Sequence, residues 1–441
     1  MDQKINISTG GEPLAAVVAN AGGEIFDLEG YAALGADGAA LSPLTVDRTQ
    51  MLPYGSELMF LPDRRPRVLN LGTGRVEVLT ENPYVPGERI FPVAAFNSPG
   101  YVIAHTAAYE ETNGAGFLPL FSYGAVGFHG EDFRSSVICV DTEPRQDLRQ
   151  MEIKDVKKGV HRIRKTLPRN RLREHLENCA LTYGCPAGKN FFLGRYEAPL
   201  PTSKACNARC LGCLSLQAEG TVPNSQDRID FTPSAQEIAE IALAHINHVK
   251  NAVVSFGQGC EGDPLLAADV IAPAVELIRQ QTSAGTININ TNGSMPKVMD
   301  RLFQAGMDSV RISINSLQPE CYTAYFRPHG YVFEDVVNAI DTAGRHGKHV
   351  ALNYLNCPGF TDTASEHKAL TSFMSNHPVN MIQWRNLNFD PVRYVHIMND
   401  ARKQATPMGV HTLLDKVREE FPNLKYGYFN PPREKWTNEM D

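Results

Sequence analysis

The sequence lacks several features that would place the protein in a membrane or outside the cell. Its first residues, MDQKINISTGGEPL, lack the basic stretch followed by an apolar stretch that marks a secretory signal. No apolar run approaches the roughly 20 residues that a membrane-spanning helix needs. The net charge of −7 gives no overall attraction for nucleic acid or anionic lipid. These absences predict a cytoplasmic protein with no membrane partner, for which nucleic acid is an unlikely ligand.

A disulfide framework is also not indicated. The nine cysteines are odd in number and tightly clustered, which favours a metal site in a reducing compartment over paired cysteines. The length of 441 residues is enough for two or three domains, and the 42% hydrophobic and 21% charged content is that of an ordinary globular protein.

Three of the cysteines, Cys206, Cys210 and Cys213, stand in the segment KACNARCLGCL with C-x3-C-x2-C spacing. Thiolates spaced in this way can converge on a soft metal centre, and iron–sulfur clusters are held by Cys thiolates. A closed structural site uses four protein ligands, whereas three thiolates on a [4Fe–4S] cluster leave one iron open to another ligand. The spacing alone leaves open a zinc loop completed by a distant residue, or reduced cysteines without a metal.

The regions around this triplet differ in pattern. Residues 1–150 show short apolar stretches separated by Gly, Pro and Asn, which predicts a β-rich accessory domain. Residues 151–195 carry many Lys and Arg side chains and have helical spacing over Leu172–Leu181, which predicts a basic helical connector with a solvated face. Residues 396–441 predict a helix over Thr412–Phe421 and a loose tail.

Strands and helices alternate over residues 196–395. This alternation predicts a parallel α/β sheet that right-handed crossovers curl into a barrel or part of one. The predicted strands are Tyr196–Ser203, Asn251–Phe256, Thr286–Thr291, Asp308–Ile314, His349–Asn353 and Val379–Arg385. The predicted helices are Pro233–His248, Leu266–Gln281, Pro296–Ala305, Phe333–His346 and Thr363–Ser375.

The cysteine triplet after the first of these strands resembles the cluster loop of the radical S-adenosylmethionine (SAM) superfamily. The resemblance covers about 200 residues and implies a partial (β/α)6 barrel of the TIM type, residues 196–395. It also implies an oxygen-sensitive [4Fe–4S] cluster on Cys206, Cys210 and Cys213, with SAM on the open iron. One position departs from the pattern: Gly212 stands where many relatives carry an aromatic residue that contacts adenine.

The segment SFGQGCEGDPLL after the second strand resembles the Gly-Gly-Glu-Pro segment of that superfamily, whose backbone binds the amino group of SAM. Here the segment is longer, and Asp263 stands where Glu is usual. Glycine lets a backbone approach a ligand closely. The resemblance implies that the segment binds the cofactor; the residues are Gly257, Gly259, Glu261, Gly262 and Asp263.

Polar side chains follow one face of the third and fourth strands. Asn290 and Asn292 alternate in NINTNG, and Arg311, Ser313 and Asn315 alternate with apolar residues in the next strand. Buried amides and hydroxyls need polar partners, and a polar ligand inside the barrel would supply them. The resemblance assigns Ser313 and Asn315 to the ribose and carboxylate of SAM, and the amide row makes Asn290 and Asn292 further candidates for binding the cofactor.

The last two strands lead into NYLNCPG and QWRNLNFD, where a substrate is expected. Cys357 and Arg385 are candidate catalytic residues there, Cys357 because a thiol readily gives up a hydrogen atom. A small apolar residue in a turn before Pro358 is nevertheless the favoured interpretation of Cys357. The resemblance implies an enzyme in which the reduced cluster cleaves SAM and a 5′-deoxyadenosyl radical attacks an unidentified substrate. Flavodoxin or ferredoxin is the expected type of electron donor.

Two alternatives stay open at this stage. The first is a non-catalytic iron–sulfur or zinc protein that uses the barrel as a scaffold. The second is a radical SAM enzyme with an additional auxiliary cluster through Cys179, Cys185, Cys260 or Cys357, although Cys179 and Cys185 also suit buried structural thiols.

Overall fold

The computed structural model describes residues 11–217, 220 and 222–436. The chain divides into two compact units, and neither is continuous in sequence. The first comprises Met1–Val140, Leu355–Thr371 and Arg385–Pro422; the second comprises Asp141–Tyr354, Ser372–Trp384 and Asn423–Asp441. These units cut across the predicted continuous ranges 1–150, 151–195, 196–395 and 396–441, because packing rather than chain order defines them.

The elements are named in chain order. The strands are β1 (Ala15–Asn20), β2 (Ile25–Asp37), β3 (Ala40–Pro43), β4 (Gln50–Met51), β5 (Glu57–Phe60), β6 (Arg64–Asn70), β7 (Arg75–Val78), β8 (Ile90–Phe96), β9 (Tyr101–Ile103), β10 (Thr106–Ala107), β11 (Tyr109–Glu111), β12 (Val126–His129), β13 (Asp132–Ser135), β14 (Val137–Cys139), β15 (Glu197–Pro199), β16 (Val253–Phe256), β17 (Thr286–Thr291), β18 (Ser309–Ile314), β19 (His349–Asn356), β20 (Met381–Asn386) and β21 (Lys425–Gly427). The helices are α1 (Ile153–Thr166), α2 (Arg171–Leu181), α3 (Pro186–Leu193), α4 (Ala235–Ile246), α5 (Ala268–Gln281), α6 (Pro296–Ala305), α7 (Pro319–Phe326), α8 (Phe333–Arg345), α9 (Ala364–Asn376), α10 (Pro391–Ala401) and α11 (Val410–Glu420).

The first unit is built on antiparallel strands. β1 pairs antiparallel with β2, β8 and β12, and β2 pairs antiparallel with β3 and β6. Alternate apolar residues of these strands meet in small clusters, one of which joins Ala16 and Val18 of β1 to Leu28 of β2 and Val68 of β6. This is the β-rich N-terminal region that the sequence predicts.

The second unit contains a seven-stranded sheet in the order β15-β16-β17-β18-β19-β20-β21. The neighbours β15–β16, β16–β17, β17–β18, β18–β19 and β20–β21 pair in parallel. Parallel strands end at one edge of the sheet, so the loops that follow them meet there. The predicted fold class, a partial parallel barrel with a β-rich N-terminal region, is confirmed.

Local signals explain where the crossover helices begin and end. Ser234 and Glu237 form a capping box at the start of α4, and α6 starts at Pro296 and stops at Gly306, whose φ is 113°. On β18, Val310, Ile312 and Ile314 are fully buried, whereas Arg311 and Ser313 are only partly buried. The apolar face of β18 packs on helices, which is what the alternation predicts.

The sequence pattern misses three short elements: α7, α10 and β21. None of the helices in the described part of the chain is both long enough and apolar enough to cross a bilayer.

Candidate cluster and SAM site

The cysteine triplet lies on the loop that follows β15, and main-chain hydrogen bonds hold this loop to the C-terminal end of α7. The N–H of Arg209 donates to the carbonyl of Phe326 at 2.9 Å, and that of Leu211 donates to Tyr325 at 3.1 Å. The N–H of His329 donates to the carbonyl of Asn207 at 2.8 Å. The loop is therefore positioned by backbone contacts, which leaves the three thiols available for a ligand.

The donor set fits an iron–sulfur cluster. Burial and the nearby Asp263 carboxylate raise the pKa of the Cys206 thiol to about 11. Burial and the other two thiols raise the pKa of Cys210 well above its usual range. Each thiol becomes harder to ionise once its neighbours are ionised, because the thiolates repel one another. A positive centre among the three thiolates removes this cost, and a metal cluster supplies one.

The spacing of the sulfur atoms bears on the zinc alternative. A tetrahedral zinc ion with Zn–S bonds of about 2.3 Å brings its thiolate sulfurs within roughly 3.8 Å of one another. Within the described residues, Cys206, Cys210 and Cys213 do not form a group whose sulfur atoms all lie within 4.8 Å of one another. The three thiols are therefore not arranged here as the ligands of one zinc ion.

A cation lies beside the third cysteine, and the sequence carries no signal for it. Nη2 of Arg228 is 3.5 Å from Sγ of Cys213, and Nε of Arg228 donates to the Ser215 hydroxyl at 3.1 Å. A guanidinium at this distance stabilises a thiolate or a thiolate-bound cluster by charge and by hydrogen bonding. Gly212, at the position where relatives carry an aromatic residue, donates its N–H to the hydroxyl of Tyr325.

The carboxylate of Glu261 is fully engaged by the protein backbone. Oε2 accepts from the N–H groups of Thr202 and Ser203 at 2.8 and 2.9 Å, and Oε1 accepts from Gly257 and Gln258 at 2.7 and 2.8 Å. Burial nevertheless raises the pKa of Glu261 to about 7. The carboxylate of Glu261 thus links the two loops, and a role of this residue in binding the cofactor stays a prediction.

Asp263, two residues after Glu261, also links its segment to a neighbouring part of the chain, the end of β17. Its carboxylate accepts from the hydroxyl of Thr291 at 2.8 Å and from the N–H groups of Leu265 and Asn292 at 3.0 and 2.7 Å. Asn292 in turn donates to the side-chain oxygen of Asn207 at 2.8 Å. The segment after β16, the end of β17 and the cluster loop are therefore joined in one hydrogen-bonded set.

Two of the predicted glycines are required by protein contacts. Gly257 has a φ of 77°, and a Cβ there would lie 1.8 Å from the carbonyl oxygen of Asn290. A Cβ on Gly262 would lie 1.9 Å from the carbonyl oxygen of Ala205. Gly259 differs, because a Cβ there would meet only the end of the Gln226 side chain at 2.6 Å and Leu214 at 3.5 Å. Of the three, Gly259 is the one at which the nearest atoms to an added Cβ belong to side chains and not to the backbone.

The amide row of β17 forms a network with other polar groups of the second unit. Asn288 donates to Oδ1 of Asn290 at 2.8 Å and accepts from the Ser309 hydroxyl at 2.8 Å. Asn290 donates to the carbonyl of Gly257 at 3.1 Å. The side-chain amide of Asn430, on the segment after β21, donates to Glu197 at 2.8 Å and accepts from Gln383 at 2.9 Å. The buried amides thus have protein partners.

The two predicted ligand residues at the end of β18 have different surroundings. Ser313 is partly exposed and shares its face with Arg311, whose Nη1 donates to Oε1 of Gln383 at 2.9 Å. Asn315 is fully buried, and its amide donates to the carbonyl of Cys321 at 3.2 Å. Ser313 is the more accessible of the pair.

The two predicted catalytic residues belong to the first unit. Cys357 is buried in a turn, where its N–H donates to the hydroxyl oxygen of Thr361 at 2.9 Å and its sulfur lies 3.8 Å from the carbonyl oxygen of Pro358. Arg385 is partly exposed near the end of β20. Nothing in these contacts tests a catalytic role, which stays a prediction for both.

Residues 200–369 match the model of the radical SAM superfamily. The chain therefore contains a radical SAM domain, and this domain includes the cysteine triplet and β16 to β19. That superfamily uses a [4Fe–4S] cluster and SAM, which confirms the predicted cofactors.

Several curated relatives are similar to part of the chain. It is 25% identical over 237 residues to GTP 3',8-cyclase of Chlorobaculum tepidum, covering 51% of this chain and 62% of that protein. It is 28% identical to GTP 3',8-cyclase of Limosilactobacillus fermentum (42% and 52% covered) and 26% identical to human molybdenum cofactor biosynthesis protein 1 (52% and 34%). The chain thus spans less than two thirds of each of these relatives.

Similar solved structures include methylornithine synthase, at 14% identity, with a TM-score of 0.37 and coverage of 64% of this chain and 77% of that chain. Streptococcus suis SuiB bound to S-adenosylmethionine matches at 14% identity, with a TM-score of 0.36 and coverage of 52% and 49%.

Proposed function

We propose that the protein is a radical SAM enzyme that cleaves SAM reductively and starts radical chemistry on a substrate still to be identified. The observation that carries this proposal is the C-x3-C-x2-C loop of Cys206, Cys210 and Cys213, which lies within the residues that match the radical SAM superfamily. With a reduced cluster bound, one-electron cleavage of SAM would yield a carbon radical that can abstract a hydrogen atom from a substrate.

The protein's own residues hold and orient these groups. The three thiolates bind the cluster, and Arg228 adds positive charge beside Cys213. Gly259 offers backbone groups to the ligand, and Ser313 offers a hydroxyl that is only partly buried. Glu261 and Asp263 act on SAM only indirectly, by fixing the loops.

An electron donor such as flavodoxin or ferredoxin is part of the proposal, because the cluster must be reduced. The names of the relatives do not define the substrate of this chain. The non-catalytic alternative, an iron–sulfur protein that binds SAM or nothing, remains the hypothesis against which the enzyme is tested.

The test is SAM cleavage by the anaerobically purified, dithionite-reduced protein. We expect about four irons per chain, with broad iron–thiolate absorbance, and time-dependent formation of 5′-deoxyadenosine and methionine. The variant with Cys206, Cys210 and Cys213 all changed to Ala should lose the iron at this site and all cleavage.

The matched control is Cys139→Ser, which removes a cysteine of the first unit and should keep both iron and cleavage. A protein that holds the cluster but neither binds nor cleaves SAM would refute the proposal in favour of the non-catalytic alternative.

A further inference from the structure

Three ligand atoms outside the cluster loop converge in the second unit. The reactive atoms of His175, Cys179 and Cys260 all lie within 4.8 Å of one another. His175 and Cys179 stand four residues apart on α2, so they share one face of that helix. Cys260 comes from the glycine-rich segment after β16. Neither the cluster and SAM site nor any hydrogen bond described above explains why these three ligand atoms lie together.

The distances suit a single tetrahedral ion. Sγ of Cys179 and Nε2 of His175 are 3.5 Å apart. A zinc ion with a Zn–S bond of about 2.3 Å and a Zn–N bond of about 2.05 Å sets this edge at roughly 3.6 Å. The compactness that the cluster triplet lacks is present here, so the two sites differ in the size of metal centre that they fit.

The surroundings hold the ligands in place. Cys179 and Cys260 are buried and His175 is partly buried, with its ring 6.4 Å from that of Phe231 in an edge-to-face arrangement. The carbonyl of Cys260 accepts from the N–H of Ile229 at 2.8 Å, which fixes the loop carrying the third ligand. Such support orients metal ligands before binding.

Cys185 is close in sequence but does not complete the group. Its N–H donates to the carbonyl of Cys179 at 3.0 Å, and it is the residue that precedes α3. In the described part of the chain its sulfur does not lie within 4.8 Å of all three ligand atoms. The protein therefore supplies three ligands and leaves a fourth position for water or another small ligand.

We propose that His175, Cys179 and Cys260 bind one zinc ion. Thiolate and imidazole ligands favour zinc among the abundant divalent ions, and their compact spacing suits one ion better than a second [4Fe–4S] cluster. The ion joins α2 to the segment whose Glu261 is hydrogen-bonded to Thr202 and Ser203, just before the cluster loop. The zinc ion thereby holds the glycine-rich segment to α2, a helix that precedes the cluster cysteines in the chain.

The experiment uses the full chain with Cys206, Cys210 and Cys213 changed to Ala, because zinc can enter an empty cluster site. The protein is expressed with zinc, desalted and analysed by mass spectrometry for metals. We expect about one zinc per chain in this background. Adding Cys179→Ser or Cys260→Ser should reduce zinc at least about tenfold, whereas adding Cys139→Ser should leave it unchanged.

A second measurement does not depend on the folding of the variants. Chelation of zinc from the otherwise unmodified, cluster-loaded protein should lower Tm by several degrees, and added Zn²⁺ should restore it. Replacement by Co²⁺ should give the thiolate charge-transfer absorption of a tetrahedral Cys-His site, and Cys139→Ser should not alter that spectrum.

Three results would overturn the proposal: less than about a tenth of an equivalent of zinc in the background protein, zinc retained after Cys179→Ser, or a disulfide between Cys179 and Cys260 in the freshly isolated protein. Iron retained by the triple-Ala background and lost with Cys260→Ser would overturn it in favour of an auxiliary cluster. Absence of SAM cleavage by the otherwise unmodified protein, with zinc retained, would count against the proposed function alone.

Discussion

Gly262→Ala tests how the glycine-rich segment is built. The added Cβ would lie 1.9 Å from the carbonyl oxygen and 2.4 Å from the carbonyl carbon of Ala205. Both atoms belong to the backbone, so no side-chain rotation relieves the clash. The chain between Ser203 and Cys206 must move, and the hydrogen bond from the Gly262 N–H to the Ser203 carbonyl, 2.6 Å long, must weaken.

The expected cost follows from these two terms. Overpacking of a close contact costs about 1–3 kcal/mol, and loss of one buried hydrogen bond costs about 1 kcal/mol. A total of about 3 kcal/mol corresponds to a decrease in Tm of roughly 6–12 °C for a unit of this size. Because the displaced residues adjoin Cys206, the variant should also take up less iron.

Gly259→Ala, three positions earlier, is the matched control. Its Cβ meets the mobile end of the Gln226 side chain and makes an ordinary contact with Leu214. We expect a change in stability within about 0.5 kcal/mol and full iron uptake. The assays are thermal unfolding under anaerobic conditions and iron content after reconstitution. Equal Tm and equal iron for the two variants would show that the contact between Gly262 and Ala205 does not constrain the loop.

Three further predictions concern other positions. Ser313→Ala, at a partly exposed hydroxyl, should weaken SAM binding about tenfold, or roughly 1.4 kcal/mol, with Tm unchanged. Calorimetric titration measures the affinity, and an unchanged affinity would place the SAM ribose and carboxylate elsewhere. Arg228→Met should keep the cluster but make its midpoint potential more negative, because the positive charge 3.5 Å from Sγ of Cys213 favours the reduced form. Redox titration followed by electron paramagnetic resonance measures the potential, and an unchanged value would contradict the prediction. Burial and the neighbouring carboxyl of Asp362 raise the pKa of Asp37 to about 8. The folded state therefore keeps a proton that the unfolded state releases near pH 4, so the free energy of unfolding falls as the pH rises from about 4 to about 8. Asp37→Asn should therefore flatten the decrease in Tm over that range, and a slope equal to that of the parent protein would be inconsistent with the shared proton.

Elements with strong local signals could be predicted from the sequence. The predicted bounds of β17 (Thr286–Thr291) and α6 (Pro296–Ala305) agree with the structure, because a proline starts α6 and a left-handed glycine ends it. The strand β21 (Lys425–Gly427) has three residues and no periodicity to detect. It exists because β20 offers it an edge to pair with, which is a tertiary effect.

The site shows the same division between local and tertiary information. The spacing of Cys206, Cys210 and Cys213 is readable because all three ligands lie in one short loop. The role of Glu261 is not readable, because an acidic residue in a glycine-rich loop looks the same whether it contacts a ligand or four backbone N–H groups. His175 carries only its spacing from Cys179, and the third member of that group, Cys260, arrives from a distant part of the chain.

The polar network around Asn430 has a consequence for biosynthesis. Glu197 and Asn290 lie on strands that are translated well before Gln383, and the amide of Asn430, which joins Glu197 to Gln383, is the last of the set to be translated. At about 5–20 residues per second, synthesis from β20 to Asn430 takes roughly 2–9 s. During that interval the nascent sheet holds buried polar groups with an incomplete set of partners, so the second unit reaches its final packing only after residue 430 has emerged.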